Sequence, residues 1–237
     1  MKELVWYKKI GFHNNPFSIK PAAFNDSLFG VEDTVSEILK LIRSNKCCFI
    51  AGEYGSGKTS VLKRIINEFR GKGKVIYHSF STSSQALNMN KLLVGRSSFI
   101  KRVFNIKAKN VIILLDEIQD MTLKDAKQVK EHHNNKHFQS VLFVAKQLDN
   151  KMPQEVKDLV EDRIFIFKGL KDDDAVKLVR KRVGKIKIIS DDIIGKINQR
   201  ANNPRDLLKN MEDIFRHAIE NDEKKIDEKT ISAVLDT

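Results

Sequence analysis

Apolar positions along the chain follow two patterns. Short runs rich in Val, Ile and Phe occur at Cys47–Ala51, Lys74–Phe80, Val111–Asp116, Ser140–Ala145 and Arg163–Phe167. Runs of this length and composition predict strands covered on both faces. Between them lie three-to-four spacings. Val35, Ile38, Leu39 and Ile42 predict a helix over Val31–Ser44, and Val61, Leu62, Ile65, Ile66 and Phe69 predict one over Lys58–Arg70. Strand and helix in alternation predict a parallel sheet with helices on both faces. After Phe167 only helical patterns remain, at Asp172–Val183, Asp191–Ala201, Pro204–Glu220 and Asp227–Leu235. Asp172, Ser190 and Asp227 suit capping or first-turn positions. The expected organisation is therefore an α/β domain over 1–168 and a small all-helical domain over 169–237.

Composition narrows the class. The 237 residues are 41% hydrophobic and 31% charged, as in a globular protein with its own core. No apolar run is long enough to span a membrane, and the N-terminus has no signal-peptide pattern. The two cysteines, Cys47 and Cys48, are neighbours on a strand and point to opposite faces. They read as core residues of a reduced, cytoplasmic protein. The net charge of +12 is concentrated. From Phe69 to Leu115 there is no acidic residue. The stretch holds Arg70, Lys72, Lys74, Lys91, Arg96, Lys101, Arg102, Lys107 and Lys109. Such a surface attracts polyanions, and nucleic acid comes first among them. Few aromatics interleave there, which favours phosphate contacts over base stacking.

The candidate chemistry starts with Gly52-Glu53-Tyr54-Gly55-Ser56-Gly57-Lys58-Thr59, followed by Ser60. This is a complete phosphate-binding loop between a predicted strand and a predicted helix. Its glycines let backbone N–H groups turn toward phosphate oxygens, and the helix start adds a positive dipole end. Lys58 would reach the β- and γ-phosphates of ATP, and Thr59 would hold Mg2+. The second motif is the strand Val111–Leu115 ending in Asp116 and Glu117. At the end of a buried strand, Asp116 would hold Mg2+, usually through water, and Glu117 would polarise the attacking water. The pair favours hydrolysis over transfer to a small acceptor.

With these motifs in view, the sequence resembles the AAA+ ATPases. More narrowly, it resembles the group of ExeA-type ATPases, transposition ATPases of the TniB and MuB type, and archaeal origin-recognition (Orc/Cdc6-like) initiators. Asn15-Pro16-Phe17 with Phe29-Gly30 resembles the segment that borders the adenine, which implies Phe17 as a nucleotide neighbour. Asp116-Glu117-Ile118-Gln119 is close to the group's second motif. Val141–Gln147 resembles the fourth strand, which implies Gln147 as the polar sensor and Lys146 as second choice. Asn203-Pro204-Arg205-Asp206-Leu207-Leu208 resembles the lid motif, which implies that Arg205 senses the γ-phosphate. Arg163 lies near the position of an arginine finger serving a neighbouring subunit. The implied fold is an AAA+ parallel sheet sandwiched by helices, followed by a helical lid. The implied partners are DNA through 69–115, further copies of the chain in a ring or filament, and a protein partner. Initiators usually carry a winged-helix domain after the lid, and none is expected in a chain ending at Thr237.

Two functions compete. One is a DNA-acting ATPase: an initiator, a loader or a transposition-type regulator. The other is an ATP-dependent switch on a protein partner, of secretion or signalling type. A nucleotide-binding structural protein without hydrolysis would not need Glu117. Two smaller features have plain readings. His132, His133 and His137 have spacings that a metal clip could use, but they read as a polar loop before the fourth strand. Trp6 and Tyr7 with Lys8 and Lys9 read as packing on the sheet edge rather than as a docking arm.

Overall fold

The computed structural model describes residues 5–19, 28–71, 74–81, 87–94, 111–147 and 152–236. Its strands are β1 (Cys48–Gly52), β2 (Lys74–Ser79), β3 (Val111–Asp116), β4 (Ser140–Ala145) and β5 (Ile164–Phe167). They form one sheet in the order β2-β3-β4-β1-β5. Every pairing is parallel. The helices are α1 (Trp6–Lys9), α2 (Glu32–Arg43), α3 (Lys58–Phe69), α4 (Met89–Val94), α5 (Leu123–Asn134), α6 (Gln154–Val160), α7 (Asp172–Val183), α8 (Asp191–Gln199), α9 (Pro204–Glu220) and α10 (Glu228–Leu235).

The chain divides into two compact units. One is the sheet unit, Glu32–Glu53 with Lys58–Phe167. Phe49, Ala51, Ile113, Leu115, Val141 and Phe143 pack with Ala126 and Val129 of α5 and Val156 and Val160 of α6. The alternate residues Cys48, Ile50, Ile112, Leu114, Leu142 and Val144 face the other way and are equally buried. Helices α2 and α3 approach the sheet through β1, and α3 also through β2. Three layers therefore enclose the central strands, which is why those strands read as unbroken apolar runs.

The other unit is helical. It holds Met1–Val31, the loop tip Tyr54–Gly57 and Lys168–Thr237. Its core includes Trp6, Phe17, Val179, Ile194, Leu207, Met211, Ile214 and Phe215. Helix starts are capped as the sequence suggests. Ser190 accepts from the Ile193 N–H, and Asp227 accepts from Lys229 and Thr230. Asp172 lies in the first turn of α7, where its carboxylate accepts from Asn198 and Gln199.

The N-terminal segment clusters with the helices. Two findings differ from the sequence-based expectations. Trp6 is buried in the helical unit, not on the sheet edge: it stacks on Phe17, and Phe17 lies 4.9 Å from the Phe215 ring of α9. Such aromatic packing contributes about 0.5–1.5 kcal/mol per pair beyond burial. Arg182 ties the segment down by donating to the Pro16 and Ser18 carbonyls at 3.1 and 2.8 Å. Burial brings its guanidinium down to about 10, still charged at neutral pH. The second difference is at the histidines. His132 and His133 end helix α5 rather than forming a loop. The Nδ1 atoms of His132 and His137 meet at 2.8 Å. No group of three metal-ligating side chains occurs among the described residues.

Candidate nucleotide site

The site begins where β1 ends. In a parallel sheet every strand delivers its C-terminal residue to the same edge. Gly52, Asp116 and Lys146 therefore arrive together at the ends of β1, β3 and β4. The Gly52 N–H donates to the Lys146 carbonyl at 3.1 Å, which holds the loop's root against the end of β4. Lys58 opens α3 and folds back over the loop, donating to the Gly52 and Glu53 carbonyls at 2.5 and 3.1 Å. Burial lowers its ammonium below the ordinary lysine value, while Glu117, Asp116 and Glu53 oppose that shift. The two carboxylates of the second motif thus face the lysine of the first. Thr59, in the first turn of α3, is exposed.

Asp116 is 8% exposed. Its Oδ1 accepts from the Glu117 N–H at 2.9 Å, and its Oδ2 accepts from the Tyr77 hydroxyl at 3.0 Å. Burial raises the Asp116 carboxyl, and these two hydrogen bonds pull it back. Glu117 adopts a left-handed conformation, φ 56 and ψ 44, uncommon for a non-glycine residue. This turn carries its side chain off the line of the strand. Its carboxylate accepts a hydrogen bond from the Gln119 amide.

The loop tip belongs to the helical unit. Gly55 and Gly57 have φ of 93 and 97, where a side chain is strained. A Cβ on Gly55 would also lie 2.5 Å from Asn203 Oδ1 and 2.7 Å from the Arg205 Cβ. Glycine is therefore required there by both backbone and neighbours. Asn203 caps α9 by accepting from the Asp206 N–H at 3.0 Å. Two residues on, the Arg205 guanidinium lies 5.1 Å from the centre of the Tyr54 ring. Ser56 Oγ and Arg205 Nε are both buried without a hydrogen-bond partner. Buried donors left unpaired are costly and mark a place for an acceptor. Phosphate oxygens are such acceptors, so the donor set fits a nucleotide. Thr59 and Asp116 are the oxygen donors suited to its Mg2+.

Other candidates are placed elsewhere. Phe17 is fully buried among Trp6 and Phe215. It is a core residue of the helical unit. Of the two sensor candidates, both exposed just after β4, Lys146 lies 3.5 Å from the Glu53 carboxylate of the loop. Arg163 lies at the opposite end of the sheet, before β5. It donates to the Cys47 carbonyl at 2.8 Å, the Leu159 carbonyl at 3.0 Å and the Glu161 carboxylate at 2.5 Å. With all three nitrogens engaged it is a structural tie, not an extended finger. In the basic stretch, Arg70 and Lys91 are exposed and Lys74 opens β2. Lys72, Arg96, Lys101, Arg102, Lys107 and Lys109 lie outside the described residues. Tyr77 is a site neighbour that sequence reasoning missed. The signal for it was its place two residues before the end of the strand beside β3.

A five-stranded parallel sheet with a phosphate loop after its fourth-placed strand defines an ATPase fold of the AAA+ class. The chain belongs to the ATPase family associated with various cellular activities (AAA), whose model matches residues 48–191. No curated protein matches the sequence significantly. Among solved structures, the chain is similar to one in Drosophila ORC bound to DNA, at 12% identity and a TM-score of 0.70, covering 93% of this chain and 63% of that one. It is similar to the Aeropyrum pernix ORC1 protein in complex with DNA, at 13% identity and a TM-score of 0.67, covering 93% and 68%. It is also similar to a RuvB mutant from Thermotoga maritima, at 12% identity and a TM-score of 0.66, covering 88% and 69%. At these identities the likeness is one of fold. The chain spans less than two thirds of the fly ORC chain. No helix among the described residues is long and apolar enough to cross a membrane.

Proposed function

We propose that this ATPase hydrolyses ATP with Mg2+ and acts on DNA as an oligomeric initiator, loader or transposition-type regulator. The observation that carries the ATP reading is the convergence of Lys58, Asp116 and Glu117 at one sheet edge. Lys58 binds the β- and γ-phosphate oxygens in place of the two loop carbonyls it now holds. Thr59 and Asp116 hold the cation, which when bound spreads the charge that develops on the transferred phosphoryl group. Glu117 orients the attacking water and takes its proton. Backbone N–H groups of Tyr54 to Ser60, with the start of α3, cradle the phosphates. Lys146, beside the loop, adds a second cation there. Arg205, whose Nε lacks a partner, binds the γ-phosphate and links nucleotide state to α9. The domain reading is that residues 1–168 carry most of the nucleotide chemistry and 169–237 form the helical lid that contributes Arg205.

The DNA reading is supported by the acid-free basic segment 69–115 and by a fold shared with two DNA-bound origin-recognition structures. Contacts of this kind are mainly to phosphates and fade with salt. Self-association into a ring or filament and a further protein partner belong to the same proposal. The test is the ATPase rate with and without duplex DNA at low and moderate salt, with Lys58→Ala as the blank. Stimulation by DNA that declines with salt is expected. Hydrolysis indifferent to DNA would replace this reading with a switch acting on a protein partner.

A further inference from the structure

The register of β2 against β3 builds a hydrogen-bonded chain that the chemistry above does not use. Tyr77 pairs with Leu114, and Ser79 pairs with Asp116. Residues two apart on a strand share a face, so Tyr77, Ser79 and Asp116 point the same way. Tyr77 stands diagonal to Asp116, a separation of roughly 7–8 Å that a long aromatic side chain can bridge. Its hydroxyl does so at 3.0 Å from Oδ2. The Ser79 hydroxyl, on the same face, meets the Ser81 hydroxyl at 3.0 Å. The Glu117 N–H secures the other carboxylate oxygen. With one donor on each oxygen, the carboxylate plane of Asp116 cannot rotate freely. Tyr77 is 50% exposed, so apolar burial alone does not account for the ring.

We propose that Tyr77 is a positioning residue that orients Asp116 toward the divalent cation accompanying the nucleotide. The inference rests on the reading of Asp116 as a cation-holding residue. A carboxylate oxygen has two lone-pair directions, so the Tyr77 bond leaves Oδ2 one for a water on the cation. Partners of this outer kind commonly change metal affinity by 10–100-fold, and about 3–10-fold is expected where the contact runs through water.

The test uses the full chain and a fluorescent ATP analogue. Its affinity is measured across a Mg2+ titration and separately in EDTA, for the wild type, Tyr77→Phe and Tyr77→Leu. The expected result is a rise of about 3–10-fold in the Mg2+ concentration for half-maximal binding, equal in both variants, with EDTA affinity and melting temperature unchanged. Tyr77→Phe identical to the wild type would overturn the proposal. A loss of EDTA affinity or of melting temperature in step with Mg2+ dependence would overturn it too, since that would make Tyr77 a packing residue. Wild-type protein that binds the analogue in EDTA but gains nothing from Mg2+ would remove the reading of Asp116 itself. Wild-type protein that binds in neither arm would remove the nucleotide reading.

Discussion

Each end of the sheet sets a cation among acids and carbonyls, and the two ends use it in opposite ways. At the C-terminal ends of the strands, Lys58 is held by two carbonyls of its own loop, and Asp116, Glu117 and Lys146 stand around it. At the N-terminal ends, Arg163 has every nitrogen committed to Cys47, Leu159 and Glu161. Both clusters join a cation to backbone carbonyls. The difference lies in what remains over. The loop end leaves carboxylates that a divalent cation can satisfy and a lysine that a phosphate can take from its carbonyls, whereas the arginine end is internally complete. A complete cluster stabilises the fold, and an incomplete one is available for chemistry.

That contrast is sharpest in substitution. Lys58→Ala and Glu117→Gln should each lower ATP turnover by about 100-fold or more while leaving the melting temperature near the wild type. Steady-state ATPase assays with thermal melts check both halves. Arg163→Ala should do the reverse. It leaves the Cys47 and Leu159 carbonyls short of a donor and costs on the order of 2 kcal/mol. That lowers the melting temperature by about 4–8 °C for a chain of this size, with turnover per folded molecule within about twofold. A large loss of turnover in Arg163→Ala that a second, active-site-inactivated copy of the chain restores would break the comparison. A third pair tests the two sensor candidates. Lys146→Ala should raise the KM for ATP by about threefold, through loss of an exposed charge beside the loop, and Gln147→Ala should leave it unchanged.

The weakest effects concern Cys47 and Cys48 at the complete end. Burial pushes their thiols up to about 11 and 12, from an ordinary 9.0. In the folded protein they stay protonated where an unfolded chain already ionises. Their contribution to stability is therefore fully present below pH 9 and declines as the pH rises from 9 through 11. Denaturant midpoints across that range should fall, after the lysine and tyrosine background is taken from a Cys47→Ala/Cys48→Ala variant. A thiol reagent at pH 8 should modify neither residue until the protein unfolds.

Much of this could be read along the chain because its physics is local. All five strands are runs of β-branched and aromatic residues, and their observed bounds differ from those expected by a residue or so. The phosphate loop is contiguous, and its glycines are demanded by backbone geometry. Asp116 and Glu117 end an unmistakable strand. The short helices α1, α4 and α6 were illegible, since one or two turns carry too little periodicity. Helix α5 was hidden by its polar end at Lys130 to Asn135.

Where side chains finish is another matter. Arg163 looked like a finger because a lone arginine before a strand has the same sequence whether extended or tied. Only the parallel pairing of β5 with β1 puts the Cys47 carbonyl within its reach. Phe17 looked like a nucleotide neighbour, and the packing of Trp6 and Phe215 made it core. Gln147 and Lys146 are adjacent in sequence, and only the structure shows that Lys146 pairs with Glu53 at the loop.

From the sequence alone came the class of fold, the identity of the phosphate loop and its acidic partner, and the concentration of positive charge. Each rests on contiguous residues or on a period of two or 3.6. The tertiary structure alone decided the company those residues keep. It brought Tyr77 to Asp116 across 39 positions, Arg163 to Cys47 across 116 and Arg182 to Pro16 across 166. Such contacts depend on strand order and packing, which no local pattern encodes.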